Sequence, residues 1–154
     1  MGPQLSHRIT SLACRRDSTF AALEGGSIVE CVRVHQRRQF SGVHSGRVVA
    51  LQVLGSTLLS LGSDGLLAAW ALDAARGSSE PVVTRLPAGF VPSAMAHPDT
   101  YLNKVVVGSQ EGRLALVNFD TAQIIYEFAR RDAGISCLAP SPALDVVGVG
   151  LSDG

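Results

Sequence analysis

Charge is scarce in this sequence. Only 17% of the 154 residues are Asp, Glu, Lys or Arg, and 13 basic against 13 acidic side chains leave a formal net charge of zero. Such a chain carries no bulk field to draw it to nucleic acid or to an anionic membrane, so any contact with RNA has to be local. Arg15-Arg16, Arg37-Arg38 and Arg130-Arg131 are the only paired basic residues. At loop edges such pairs read as solvated surface. Cysteine is also sparse: Cys14, Cys31 and Cys137 are an odd number, far apart, with no CxxC and no Cys/His cluster. That pattern argues against a zinc site, and no metal is expected. Cys31 and Cys137 sit in apolar runs and are expected to be reduced core residues. Long apolar runs are missing. The longest, residues 66–72, is far too short to cross a bilayer, and no apolar segment follows a basic start as a secretory signal would. Met1-Gly2-Pro3-Gln4-Leu5-Ser6 matches the bare myristoylation pattern. Pro3 stiffens the acceptor peptide and no polybasic patch follows, so lipidation is not expected. An intracellular protein fits all of these absences.

What is present is a globular composition, 46% hydrophobic, and one stretch of high information. Residues 42–73 read GVHSGRVVALQVLGSTLLSLGSDGLLAAWALD. Three apolar runs, at 48–53, 57–61 and 66–72, are separated by Gly55-Ser56 and by Ser63-Asp64-Gly65. Runs apolar on both alternating faces are strands buried on both sides, and the intervening residues are turn formers. Trp70 has an indole N–H that needs an acceptor when buried. Ser60 supplies one and can pass a hydrogen bond to His44. Asp64 can hold the other imidazole nitrogen together with the turn amides. His44, Ser60, Asp64 and Trp70 in this order and spacing are the polar network of a WD-repeat blade.

The pattern recurs. Turns at Gly25-Gly26, Asp64-Gly65, Glu111-Gly112 and Asp153-Gly154 place their second glycines at intervals of 39, 47 and 42 residues. Periods near 40–45 residues with four short strands each mark a β-propeller. The expected strands of the first repeat lie at 9–13, 19–23 and 27–34, with a poor fourth near Gln39-Phe40. Those of the third lie at 93–96, 104–108, 113–119 and 124–128, and the fourth repeat offers 135–138 and 145–150. A turn-rich stretch, residues 73–81, lengthens the second interval. No segment shows a helical period with caps. Only the second repeat keeps the network: the positions of Ser60, Asp64 and Trp70 hold Ala21, Gly25 and Cys31 in the first repeat, and Val107, Glu111 and Val117 in the third. The expected fold is all-β, a WD-repeat propeller of about three and a half blades of four-stranded antiparallel sheet. The blades fall near 6–41, 42–87, 90–129 and 133–154. Because such rings close with 4–8 blades, the chain reads as part of a larger propeller.

Catalytic constellations do not stand out. Gly148-Val149-Gly150 lacks the third glycine of a dinucleotide fingerprint, and no P-loop, GxSxG or HExxH occurs. His44, Ser60 and Asp64 are the residue types of a hydrolytic triad, but a serine in mid-strand beside a buried tryptophan is not an exposed nucleophile. No enzyme activity, cofactor or small-molecule substrate is expected, and no membrane partner.

Met95-Ala96-His97-Pro98, Tyr101-Leu102-Asn103-Lys104-Val105, Gly108-Ser109, Gly112, Ile125-Tyr126-Glu127-Phe128 and Asp145-Val146-Val147-Gly148-Val149-Gly150-Leu151 are more specific than the blade pattern. They closely resemble the nucleolar WD-repeat family of the UTP-B subcomplex, part of the small-subunit processome built around the U-three small nucleolar RNP. The resemblance is tight over residues 91–151, weaker but colinear from 42, and one of pattern only before 41. It implies a nucleolar, non-catalytic scaffold in ribosome biogenesis, with other processome proteins as partners and with pre-ribosomal or small nucleolar RNA contacted indirectly. It further implies two tandem propellers and a helical C-terminal domain, of which this chain corresponds to the first blades. Val117 stands where many relatives keep a blade tryptophan. The alternative is a generic WD-repeat adaptor, in ubiquitin ligation or vesicle traffic.

Overall fold

The structure is a computed structural model that describes residues 7–73, 80–143 and 145–154. The lipidation-like segment 1–6 and positions 74–79 of the turn-rich stretch lie outside the described residues. The fold is almost all β. The first sheet runs β1 (Ile9–Arg15), β2 (Ser18–Leu23), β3 (Ile28–Val32) and β4 (His35–Phe40), each strand antiparallel to the next. The second runs β5 (Val48–Leu54), β6 (Thr57–Gly62), β7 (Leu66–Ala71) and β8 (Val82–Arg85). The third runs β9 (Pro92–Ala96), β10 (Lys104–Ser109), β11 (Leu114–Asn118) and β12 (Gln123–Glu127). The last pairs β13 (Ile135–Pro140) with β14 (Val147–Leu151). One short 3-10 turn, Asp99–Tyr101, precedes β10. Strand β1 packs on β5, β5 on β9 and β9 on β13, so the innermost strands of successive sheets line one side of an arc, part of a propeller.

The two-sided burial of β6 and β7 explains why β7 is apolar at every position and why β6 carries leucines on both of its faces. Leu58, Ala68 and Trp70 pack with Phe20, Ala22 and Ile28 of the first blade. Leu59, Leu61, Leu67 and Ala69 pack on the opposite side with Val105, Val107, Ala115 and Val117 of the third. Alternate residues of one strand therefore glue it to two neighbours, as the pleat requires. A third cluster, built on Val106, Leu114 and Ile135, joins the last pair of sheets.

Three details differ from the sequence reading. Strand β4 is a full six-residue strand despite its polar sequence HQRRQF, because an outer strand needs only one buried edge. Strand β3 stops at Val32 rather than 34, since Arg33 takes φ 55° in a two-residue turn to His35. Cys137 is exposed and so is not a core residue, while Cys31 is half-buried against the small cluster of Ala21, Leu23 and Val29. On β13, a β-bulge between Ile135 and Cys137 breaks the alternation, so Ile135 is buried and Cys137 lies open.

Candidate functional site

The turn between β6 and β7 carries the best-developed polar site. Its residues come from three places: His44 from the segment entering β5, Ser60 and Trp70 from facing strands, and Asp64 from the turn itself. Trp70 Nε1 donates to Ser60 Oγ at 2.9 Å, and Ser60 Oγ lies 2.7 Å from His44 Nε2. His44 Nδ1 stands 3.3 Å from Asp64 Oδ1. The Asp64 carboxylate also accepts from the Ser45 amide at 2.8 Å and the Leu66 amide at 3.2 Å. All lone pairs and protons agree if Nδ1–H donates to Asp64 and Nε2 accepts from Ser60. The structure thus brings His44, Ser60, Asp64 and Trp70 together in one chain of bonds.

Chemically this is a clamp. Ser60 has no solvent-exposed surface and His44 is buried. The serine hydroxyl is occupied on both sides, and no path leads a substrate to it, whereas an acyl-transfer nucleophile needs an open face and nearby oxyanion donors. What the arrangement does is tie the strand-entry segment, through Asp64 and the Ser45 amide, to the turn beneath it. Among the described residues no group of three or more His, Cys, Asp or Glu is placed to hold a metal ion.

Two contributors escape a reading by residue type. Gly62 is one: a Cβ there would collide with Asp64 Oδ1 and His44 Nδ1, so the network exists only with a glycine beneath it. The spacing of turn residues gave no hint of this, because Gly62 lies inside the strand. Glu111 is the other. It occupies the place of Asp64 in the third blade, where the tryptophan and serine are gone, yet its Oε2 still accepts from the Val91 amide at 3.1 Å. Burial alone would push this carboxyl up. The Val91 amide, the Ser109 hydroxyl and the nearby Arg113 charge outweigh that and hold it below the ordinary carboxylate range. The third blade thereby keeps the tether and discards the rest. Gly112 beside it takes φ 80°, and a Cβ would strike the carbonyls of Arg131 and Ala133. The close approach is used: the Arg131 amide donates to Gly112 O at 2.8 Å, and Leu86 to Gly65 O at 2.9 Å in the second blade.

Comparisons with known proteins agree with this architecture. The family described as the WDR36/Utp21 first beta-propeller matches residues 1–154. WD repeat-containing protein 36 of Homo sapiens is 35% identical over 114 residues, 72% of this chain and 12% of its own length. The U3 small nucleolar RNA-associated protein 21 homolog of Schizosaccharomyces pombe is 29% identical over 168 residues, all of this chain and 17% of its own length. The chain therefore spans under a fifth of these curated relatives. Among solved structures, the computationally designed Ika4 protein superposes with a TM-score of 0.83 at 20% identity, over 100% of this chain and 91% of its own. A chain of the mitotic checkpoint complex reaches 0.80 at 19% identity, over 96% and 46%. At such identities these likenesses bear on the fold alone.

Proposed function

The chain belongs to the WDR36/Utp21 first beta-propeller family, and from that premise we propose that it is a non-catalytic scaffold in ribosome biogenesis, helping to assemble the small-subunit processome for pre-rRNA processing. The observation that carries this reading is the family match over the whole of residues 1–154, with a curated relative named for association with U3 small nucleolar RNA. The geometry supports a scaffold: the best-formed polar site, His44, Ser60, Asp64 and Trp70, spends its hydrogen-bonding capacity inside the blade. The partners on this reading are other processome proteins, and the location is the nucleolus. With no net charge, these residues offer RNA no bulk electrostatic attraction, so any contact with it is local.

The test is to tag the protein in cells, localise it, and recover its associated particles. Nucleolar concentration with co-purification of pre-ribosomal RNA and U3 small nucleolar RNA is the expected result. A diffuse cytoplasmic signal with no such particles would replace the reading by that of a generic WD-repeat adaptor.

A further inference from the structure

Two of the arginine pairs meet at one end of the first blade. Arg15 ends β1, Arg16 begins the two-residue turn to Ser18, and Arg37 and Arg38 lie on β4 of the same sheet. A cavity of about 420 Å³ opens there, lined by all four arginines and by Asp17 and Glu30. Consecutive residues of a regular strand point to opposite faces, yet Arg37 and Arg38 line the same cavity. A β-bulge accounts for it: Glu30 pairs with Arg38 and Cys31 with Gln36, which leaves Arg37 as the extra residue.

The four guanidinium groups are not equivalent. Arg38 is locked in place: Nε donates to Glu30 Oε2 at 2.6 Å and Nη2 to Leu72 O at 2.9 Å, and the group lies 4.8 Å over the Phe40 ring. Glu30 is itself buried, with its other oxygen accepting from Ser18 Oγ at 2.7 Å. Arg15 is loosely paired, at 3.4 Å, with the exposed Asp73. Arg16 and Arg37 are exposed and, among the described residues, have neither a hydrogen bond nor an ion pair. Arg16 also takes φ 51°, a conformation that side-chain-bearing residues adopt only at a cost. The same turn position in the second blade is Gly55, at φ 55°. The first blade keeps an arginine where glycine fits better, and such strain gathers at functional positions.

We propose that this cavity binds the phosphate monoester of a phosphorylated serine or threonine in a partner peptide. Two arginines without a side-chain partner among the described residues line one cavity, and a phosphorylated side chain carries about −1.5 to −2 charges at neutral pH. Arginine forks match the tetrahedral oxygens of a phosphate better than any other side chain. Asp17 in the lining and the exposed Asp73 paired with Arg15 oppose a continuing polyanion, so the site suits one isolated dianion rather than a nucleic-acid strand. This inference does not rest on the ribosome-biogenesis reading.

The test titrates a heptapeptide with one central phosphoserine onto the complete protein, in the assembly state it adopts in solution. Fluorescence anisotropy of the dye-labelled peptide reports the binding. Saturable binding at least about tenfold tighter than that of the unphosphorylated peptide is expected, and Arg37→Gln and Arg16→Gly should each weaken it by a similar factor. Arg16→Gly relieves the turn, so its thermal midpoint should equal or exceed the parent's, which separates lost binding from lost folding. The proposal falls if the phosphopeptide does not saturate, if both variants bind as the parent does, or if a uridine decamer binds more tightly with the same arginine dependence.

Discussion

Trp70 joins the two kinds of interaction that hold the second blade. Its ring packs into the cluster between the first and second blades, and its N–H is taken by a serine that nothing else on that side can satisfy. Trp70→Ala should therefore cost about 3–5 kcal/mol, the range of large aromatic truncations in cores. Denaturant melts measure it, and a loss below about 1 kcal/mol would mean that the ring contributes little to the blade. The neighbouring pair responds differently. His44→Ala already orphans part of Asp64, and Asp64→Ala orphans His44 Nδ1. The double variant should thus cost clearly less than the sum, whereas additivity within about 0.5 kcal/mol would show that the 3.3 Å contact carries no energy. These four residues were legible in the sequence because each has a distinctive chemistry at a fixed distance from a turn. Gly62 was not, since the demand on it is a volume forbidden by two side chains far away in sequence. The arginines were visible only as pairs, because their convergence depends on a hairpin register and on the bulge at Arg37.

At the scale of the element, the turns between second and third strands set the fold's period and bear its tethers. The glycines that mark them were readable because a left-handed turn has few substitutes. The outer strands were the hard ones. Strand β4 is polar and β8 has only four residues, VVTR. Pairing with an inner neighbour, rather than any periodicity of their own, makes them strands. The third blade shows how far a turn can simplify and still hold. Glu111 has its carboxyl pulled down by the Val91 amide, the Ser109 hydroxyl and Arg113 against the opposing effect of burial. A carboxyl whose folded value lies below its unfolded one contributes stability that is present above the unfolded value and lost as pH falls through the folded value. Acidification below the ordinary carboxylate range should therefore erode the third blade's stability. In Glu111→Gln that acid-dependent loss should shrink, with a lower stability at neutral pH. Thermal melts of both proteins at neutral pH and at pH near 3 provide the comparison; parallel pH curves would remove Glu111 as the source.

For the whole molecule, each blade's apolar sides are finished by its neighbours, and among the described residues two surfaces have no neighbouring sheet. Among the described residues strand β14 pairs only with β13, so its outer backbone groups form an open edge. Val149 on it and Val146 just before it are exposed, a short β-branched ladder beside unpaired N–H and C=O groups. Edges of that kind recruit other chains. On the first blade, the side turned away from the second holds the small buried cluster of Ala21, Leu23 and Val29, and the apolar surface left open there is Ile9 and Leu12 of β1. Closing a ring would cover both surfaces, because each is the counterpart of an inter-blade packing seen in full between the second and third sheets. The 154-residue chain produced alone at micromolar concentration should accordingly form oligomers or dissolve poorly. Size-exclusion chromatography with light scattering is the direct measurement. A sharp monomer peak that also unfolds cooperatively would show that three inter-sheet interfaces suffice to hold the arc, and that its open edge is protected by something other than pairing.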